Sequence, residues 1–179
     1  DPILRFDDLY QRRLSAIRYF SKRPGFRLFG TGWEQPHGLD WESFRAAHLA
    51  GANPVENKLV EMGNYRFNLC IENCSFPGYI TEKLFDSIFA GCIPVYLGAP
   101  DITNYVPPEV FINIKDFNSW ADLERYMRSM SEKNAAGYLD AANSYISGNE
   151  FDKFHIDHLD GLLMGIICEE IDRLKVIRY

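Results

Sequence analysis

Residues 65–117 read YRFNLCIENCSFPGYITEKLFDSIFAGCIPVYLGAPDITNYVPPEVFINIKDF. Two apolar runs stand out, Tyr65–Ile71 and Cys92–Leu97, each of a length that suits a buried strand. Between them lie a loop, Asn73–Gly78, and a helical stretch, Thr81–Ala90, with Leu84, Phe85, Ile88 and Phe89 on one side. A further strand is expected at Phe111–Ile114, after the loop that holds Pro100, Pro107 and Pro108. Strands alternating with helices imply parallel strands joined by right-handed crossovers, hence an α/β fold with a doubly wound parallel sheet. Ligands of such sheets sit beyond the carboxyl ends of the strands. That rule singles out Gly30–Gly32, Glu72–Lys83 and Gly98–Asp101.

Upstream, Asp7–Phe20 is predicted to be a helix with Leu9, Arg13, Ile17 and Phe20 on one face, so that Arg13 interrupts an apolar stripe. Arg23-Pro24-Gly25 ends it, and Phe26–Phe29 follows as a short strand. Residues 33–54 read as a long surface loop with at most a helical turn, a length often tied to function. Downstream, Ser119 is placed to cap a helix carrying Trp120, Leu123, Tyr126 and Met130. Helices are also expected at 132–147 and 158–176.

A chain of 179 residues suits one domain, taken here as 1–179. Its 46% apolar and 25% charged residues are a globular balance. No apolar run approaches a membrane span. The net charge of −6 argues against broad nucleic-acid binding. Residues 1–30 hold seven basic and three acidic side chains, and the remainder twelve and twenty-two. Such a basic opening either faces an anionic ligand or is a solvated helix face. The start, Asp1-Pro2, has neither Met nor a signal peptide and reads as processed or cut from a longer protein. Of four cysteines, Cys70 and Cys74 lack C-x-x-C spacing, and Cys70 and Cys92 lie in apolar runs as core residues. Reduced thiols and a cytoplasmic location are the expectation.

Chemistry concentrates where Tyr65–Ile71 passes through its loop into Thr81–Ala90. A helix N-terminus carries unpaired N–H groups and partial positive charge. Lys83 in the first turn is unfavourable there unless an anion is bound, and a pyrophosphate would satisfy both. Glu82 is placed to accept hydrogen bonds from a ribose diol, and Asn73 and Tyr79 add neutral polar groups. The alternative is an ordinary capped helix, with Thr81 at the N-cap, Glu82 favouring the dipole and Lys83 solvated. Gly30-x-Gly32-x-x-Gln35 is a degenerate dinucleotide pattern, and no Walker loop is present. His155, Asp157, His158 and Asp160 have zinc-compatible spacing but also read as an amphipathic helix start. No D-x-D pair is present to hold a nucleotide through a divalent metal. Asn73-Cys74-Ser75 matches a glycosylation sequon inside the proposed site.

The stretch 65–117 resembles the donor-binding signature of the α-1,3/4-fucosyltransferase family. It carries Y-[KR]-F-x-L-x-x-E-N, then Y-[IV]-T-E-K, then an apolar helix, I-P-[IV]-[YV]-x-G and F-[IV]-x-[IV]-x-D-F, in order. Weaker similarity through Leu9-Tyr10-x-x-Arg13 and Lys58 extends the resemblance over most of residues 9–130. It implies the C-terminal, Rossmann-like donor domain of a GT-B glycosyltransferase. The implied reaction is inverting, metal-independent transfer of L-fucose from GDP-fucose to a 3- or 4-hydroxyl of a GlcNAc- or glucose-containing glycan. Arg13, Lys58, Asn73, Tyr79, Glu82 and Lys83 are then expected around the donor, with Glu82 on the ribose and Lys83 and Arg13 on the phosphates. No cofactor is implied. The partners implied are GDP-fucose and a glycan acceptor, with membrane association only through regions outside this chain. The family's general base is expected from an N-terminal acceptor domain, which these residues do not include. No catalytic residue is therefore assigned, and Glu72 is the first carboxylate to test if one lies here. The other function class is a catalytically silent GDP-sugar-binding module.

Overall fold

The computed structural model describes residues 7–30, 33, 41–49, 55–154 and 164. In chain order they form β1 (Asp7–Asp8), α1 (Tyr10–Phe20), β2 (Leu28–Phe29), α2 (Trp41–Ala47), β3 (His48–Leu49) and α3 (Val55–Met62). Then come β4 (Phe67–Ile71), β5 (Cys74–Ser75), α4 (Glu82–Phe89), β6 (Ile93–Leu97), β7 (Ile112–Asn113), α5 (Trp120–Ser129) and α6 (Glu132–Ile146). The chain divides into two compact units, Asp1–Ala142 and Asn143–Tyr179.

The centre of the first unit is a parallel sheet in the order β4-β6-β7. Phe67 lies opposite Ile93 and Ile71 opposite Leu97, while Val95 lies opposite Ile112. Strand side chains alternate between faces. Phe67, Leu69, Ile71, Ile93, Val95, Leu97 and Ile112 therefore share one face, packed with Leu9, Ala16, Phe20 and Leu123. On the opposite face the Asn68 amide donates to Ser87 Oγ at 2.6 Å and Cys70 Sγ lies 2.9 Å from the same oxygen, joining β4 to α4. All five residues of β6 are buried, which is why its sequence is an unbroken apolar run and not an alternating one. The α/β reading holds: parallel strands carry helices on both faces, and the three strands follow one another in chain order.

Burial pushes the Cys70 thiol up to about 12 and Cys92 up to about 11, so both behave as core residues at neutral pH. A second anchor joins α1 to α5. Glu124 accepts from Tyr19 Oη at 2.7 Å, Arg23 Nε at 3.0 Å and Arg128 Nε at 2.7 Å. Hydrogen bonding, from Tyr19 first, holds the Glu124 carboxyl down at about 2. As expected, Ser119 caps α5, its hydroxyl accepting from the Asp122 N–H at 3.1 Å. In the second unit, Tyr145 meets Phe151 edge-on at 5.7 Å beside a 3-10 turn at Asn149–Phe154.

The periodicity misplaces several local features. The first helix begins at Tyr10, because Asp7–Asp8 pair antiparallel with Ser75 and Cys74 and Asp8 accepts from the Tyr10 N–H at 2.8 Å. The loop after β4 thus contains a strand. The segment read as a long loop holds α2 and β3, and β3 pairs in parallel with β2. The helix α3 has no counterpart in the sequence reading. Phe89 is 53% exposed, so the apolar side of α4 is buried through Leu84 and Ile88 instead. Gly32, Gln35, His155, His158, Cys168 and, apart from residue 164, the helix expected at 158–176 lie outside the described residues.

Candidate functional site

The carboxyl end of β4 runs directly into Glu72. Its backbone N–H donates to Leu97 O at 2.8 Å, continuing the ladder with β6 for one more residue. Its side chain is 0% exposed. A buried carboxylate is costly unless paired and hydrogen-bonded, and this one is both. Oε1 accepts from the Thr81 N–H at 2.8 Å. Oε2 accepts from the Thr81 hydroxyl at 2.7 Å and from Lys83 Nζ at 3.3 Å. Lys83 Nζ also donates to Thr81 Oγ1 at 3.1 Å.

These contacts correct two expectations. Thr81 occupies the N-cap position of α4, but its hydroxyl makes no cap bond because it is committed to Glu72. Lys83 needs no external anion to sit in the first helical turn, since the counter-charge is supplied by the strand beneath it. Glu72 is also unsuited to be a base: it has no solvent exposure, and both oxygens are already occupied.

The end of β6 supports the same loop. A Cβ on Gly98 would lie 2.3 Å from Tyr96 Oη and 2.5 Å from Glu72 Cγ, so no larger residue fits between them. Tyr96 Oη accepts from the Ala99 N–H at 3.0 Å and lies 3.5 Å from the Tyr79 carbonyl, to which it donates. Burial pushes the Tyr96 phenol well above its ordinary range, so it stays protonated. Ser75 Oγ donates to Gly98 O at 2.9 Å, and the Gly78 N–H donates to Asp101 Oδ1 at 2.9 Å. Gly78 sits at φ 72°, a conformation glycine adopts without strain. The loop that carries Tyr79 and leads into Glu82 and Lys83 of α4 is thereby tied to residues 98–101, the other strand end singled out from the sequence.

Arg13 reaches this region from α1. Its guanidinium donates to Ile71 O at 2.9 Å and to Asn73 Oδ1 at 2.8 Å, both neutral acceptors, so its positive charge is not cancelled by them. The pairing of Arg13 with Asn73 explains why a cation interrupts the apolar stripe of α1. Lys58, on α3, donates to Asp86 Oδ2 at 2.6 Å. Glu82 is 63% exposed, with Oε1 3.5 Å from Lys83 Nζ. Burial raises its carboxyl pKa, but its own backbone N–H, Lys83, Thr81 and Lys58 together bring it below the ordinary carboxylate range.

Arg13, Lys58 and Lys83 line one cavity of about 370 Å³ along the open edge of β4. Its charged lining is completed by Arg27 and Glu61, four cations to one carboxylate, in a chain of net charge −6. Phe29, Trp33, Met62 and Tyr65 supply apolar wall. The volume falls in the range of about 300–1,000 Å³ usual for small-molecule sites. Asn73, Tyr79 and Glu82 are not among the residues that line the cavity, and Asn73 meets it only through Arg13. The sequence reading named Glu72 only as a carboxylate to test as base and gave Tyr96 and Gly98 no packing role. The glycine closing the run IPVYLG was the available signal. Among the described residues no cluster of three or more His, Cys, Asp or Glu is arranged to hold a metal ion.

Fold and site together define an α/β domain with a cation-lined cavity along one parallel strand. The family model described as glycosyltransferase family 10 (fucosyltransferase), C-terminal region, matches residues 13–161. The chain belongs to this family. It is 39% identical over 87 residues to the alpha-(1,3)-fucosyltransferase FucT of Helicobacter pylori, covering 48% of this chain and 18% of the relative. It is 33% identical over 130 residues to the alpha-(1,4)-fucosyltransferase of Arabidopsis thaliana, covering 72% of this chain and 32% of the relative. Among solved structures, an alpha1,3-fucosyltransferase with GDP-fucose is similar with a TM-score of 0.47 and 26% identity, over 75% of this chain and 44% of that one. The chain thus spans less than half the length of each of these proteins.

Proposed function

We propose that this chain is the donor-binding half of a GT-B fucosyltransferase. The substrate is GDP-fucose, and the acceptor is a 3- or 4-hydroxyl of a GlcNAc- or glucose-containing glycan. The observation that carries this reading is the convergence of Arg13, Lys58 and Lys83 on one cavity, with Arg13 bonded to Asn73 at 2.8 Å. Displacement at the anomeric carbon with inversion releases GDP, so negative charge grows on the β-phosphate. Arg13 and Lys83 are the groups to stabilise it, and charges held in place beforehand do so without reorganisation. Glu82, ionised and exposed, accepts from the ribose hydroxyls. Positive charge from side chains replaces a divalent metal at the pyrophosphate. The attacking hydroxyl needs a base within hydrogen-bond reach. That base is assigned to an acceptor domain outside this chain, because Glu72 is sealed.

The same sealing of Glu72 favours a second reading for the chain taken alone: it binds the donor without transferring it. Calorimetry with GDP, GDP-fucose, guanosine and NAD tests the proposal. Binding of GDP and GDP-fucose, with guanosine much weaker and NAD silent, is expected. Binding of NAD in preference to GDP, or no GDP binding, refutes it. Transfer from labelled GDP-fucose to N-acetyllactosamine by these 179 residues would place a base within the chain after all.

A further inference from the structure

We propose that Thr81, held by the buried Glu72, is a positioning residue that fixes the Lys83 ammonium for the donor phosphates. The inference rests on the donor-binding reading. A lysine head group sits on a flexible four-carbon stem with three N–H donors, so its location is set by whatever accepts from it. Thr81 Oγ1 accepts at 3.1 Å, Glu72 Oε2 at 3.3 Å, and Glu82 Oε1 stands at 3.5 Å.

These acceptors differ in kind. Glu82 is 63% exposed and its carboxylate is free to turn away when a phosphate or a ribose arrives. Glu72 is fully buried, and the space beside its Cγ is closed by Gly98 and Tyr96. The Lys83 ammonium can only donate, and the Thr81 hydroxyl donates to Glu72 Oε2 at 2.7 Å. What Thr81 presents to Lys83 is therefore always a lone pair. Polarity runs one way, from Lys83 to Thr81 to Glu72. Lys83 thus has two fixed partners and one replaceable partner. The fixed pair holds Nζ at the cavity wall, and exchange of Glu82 for phosphate completes its coordination. A simple structural role for Thr81 would need only its backbone N–H, which already binds Glu72 Oε1.

Thr81→Val removes the hydroxyl while keeping shape, charge and the backbone bond. Calorimetry of the full chain is expected to show GDP affinity about tenfold weaker, the scale of one charge-assisted hydrogen bond, with guanosine within about twofold of wild type. Thr81→Ser restores GDP affinity. In a Lys83→Ala background, Thr81→Val has no further effect on GDP, since nothing remains to be positioned. Thr81→Ala repeats the test if valine unfolds the loop, and thermal melts identify that case. Equal losses for GDP and guanosine, a loss that persists without Lys83, or failure of serine to rescue each overturn the inference. So does Lys83-dependent GDP binding that is indifferent to Thr81, which leaves the donor reading intact. Absence of GDP binding by the unmodified chain overturns both.

Discussion

Replacing Gly98 with alanine tests the packing that holds the site together. The added Cβ would lie 2.3 Å from Tyr96 Oη, 2.6 Å from Tyr96 Cζ and 2.5 Å from Glu72 Cγ. None of these atoms belongs to a flexible surface group: Tyr96 is 1% exposed and Glu72 0%. Overpacking a well-filled core costs about 1–3 kcal/mol. Moving Tyr96 Oη breaks its bond with the Ala99 N–H, for about 0.5–1.5 kcal/mol more. Moving Glu72 loosens its bonds to Thr81 and Lys83, so the total reaches about 3–5 kcal/mol. Urea unfolding followed by circular dichroism should show a midpoint lowered by about 2 M, for an m-value of about 2 kcal/mol/M. Gly137→Ala is the control. It lies inside α6 with nothing within 4 Å of its Cβ position, and alanine there should stabilise by about 0.5–1 kcal/mol through helix propensity. A Gly98→Ala loss below about 1 kcal/mol, or the same sign for both variants, would refute the close-packing account.

Arg13→Ala should weaken GDP binding by about 10- to 100-fold and guanosine binding far less, because its charge is aimed at phosphates and not at the base; matching losses in calorimetry would assign Arg13 to folding alone through Ile71 and Asn73. A chelator should leave the GDP dissociation constant unchanged, and loss of binding on its addition would sink the metal-free reading. Glu124 is held at about 2 against an ordinary 4.5, so its contribution is fully present above about pH 4.5 and disappears as pH falls towards 2. With its partners Arg23 and Arg128 partly exposed, that contribution is about 1–2 kcal/mol after screening, and Glu124→Gln should flatten the acid limb of stability by that amount.

Much of the frame was legible because it depends on local pattern. The runs Tyr65–Ile71 and Cys92–Leu97 are too apolar to lie anywhere but in a covered strand, and the helix between them requires a parallel crossover. Lys83 was singled out by its place in the first helical turn, whereas Arg13 and Lys58 were named from the weaker family resemblance upstream. What escaped was small or non-local. The two-residue pairing of Asp7–Asp8 with Cys74–Ser75 has no periodicity to read. The helix at Val55–Met62 was overlooked between a polar excursion and a strong strand.

The sequence by itself determined where β4, α4, β6 and α5 form, because burial leaves a pattern that needs no partner to be seen. It also determined which residue types gather at the end of β4. Tertiary structure decided what those residues do to one another. Lys83 in the first turn of a helix reads, in one dimension, as a charge waiting for an anion; folding places a buried carboxylate from the preceding strand beneath it. Glu72 stood as the first carboxylate to test as a base and proves sealed. Thr81 looked like a helix cap and proves to be a link between the two. Each reversal has the same physical cause: the energy of a charge or a hydroxyl depends on the distance and burial of its partners, and those come from parts of the chain that only the fold brings together.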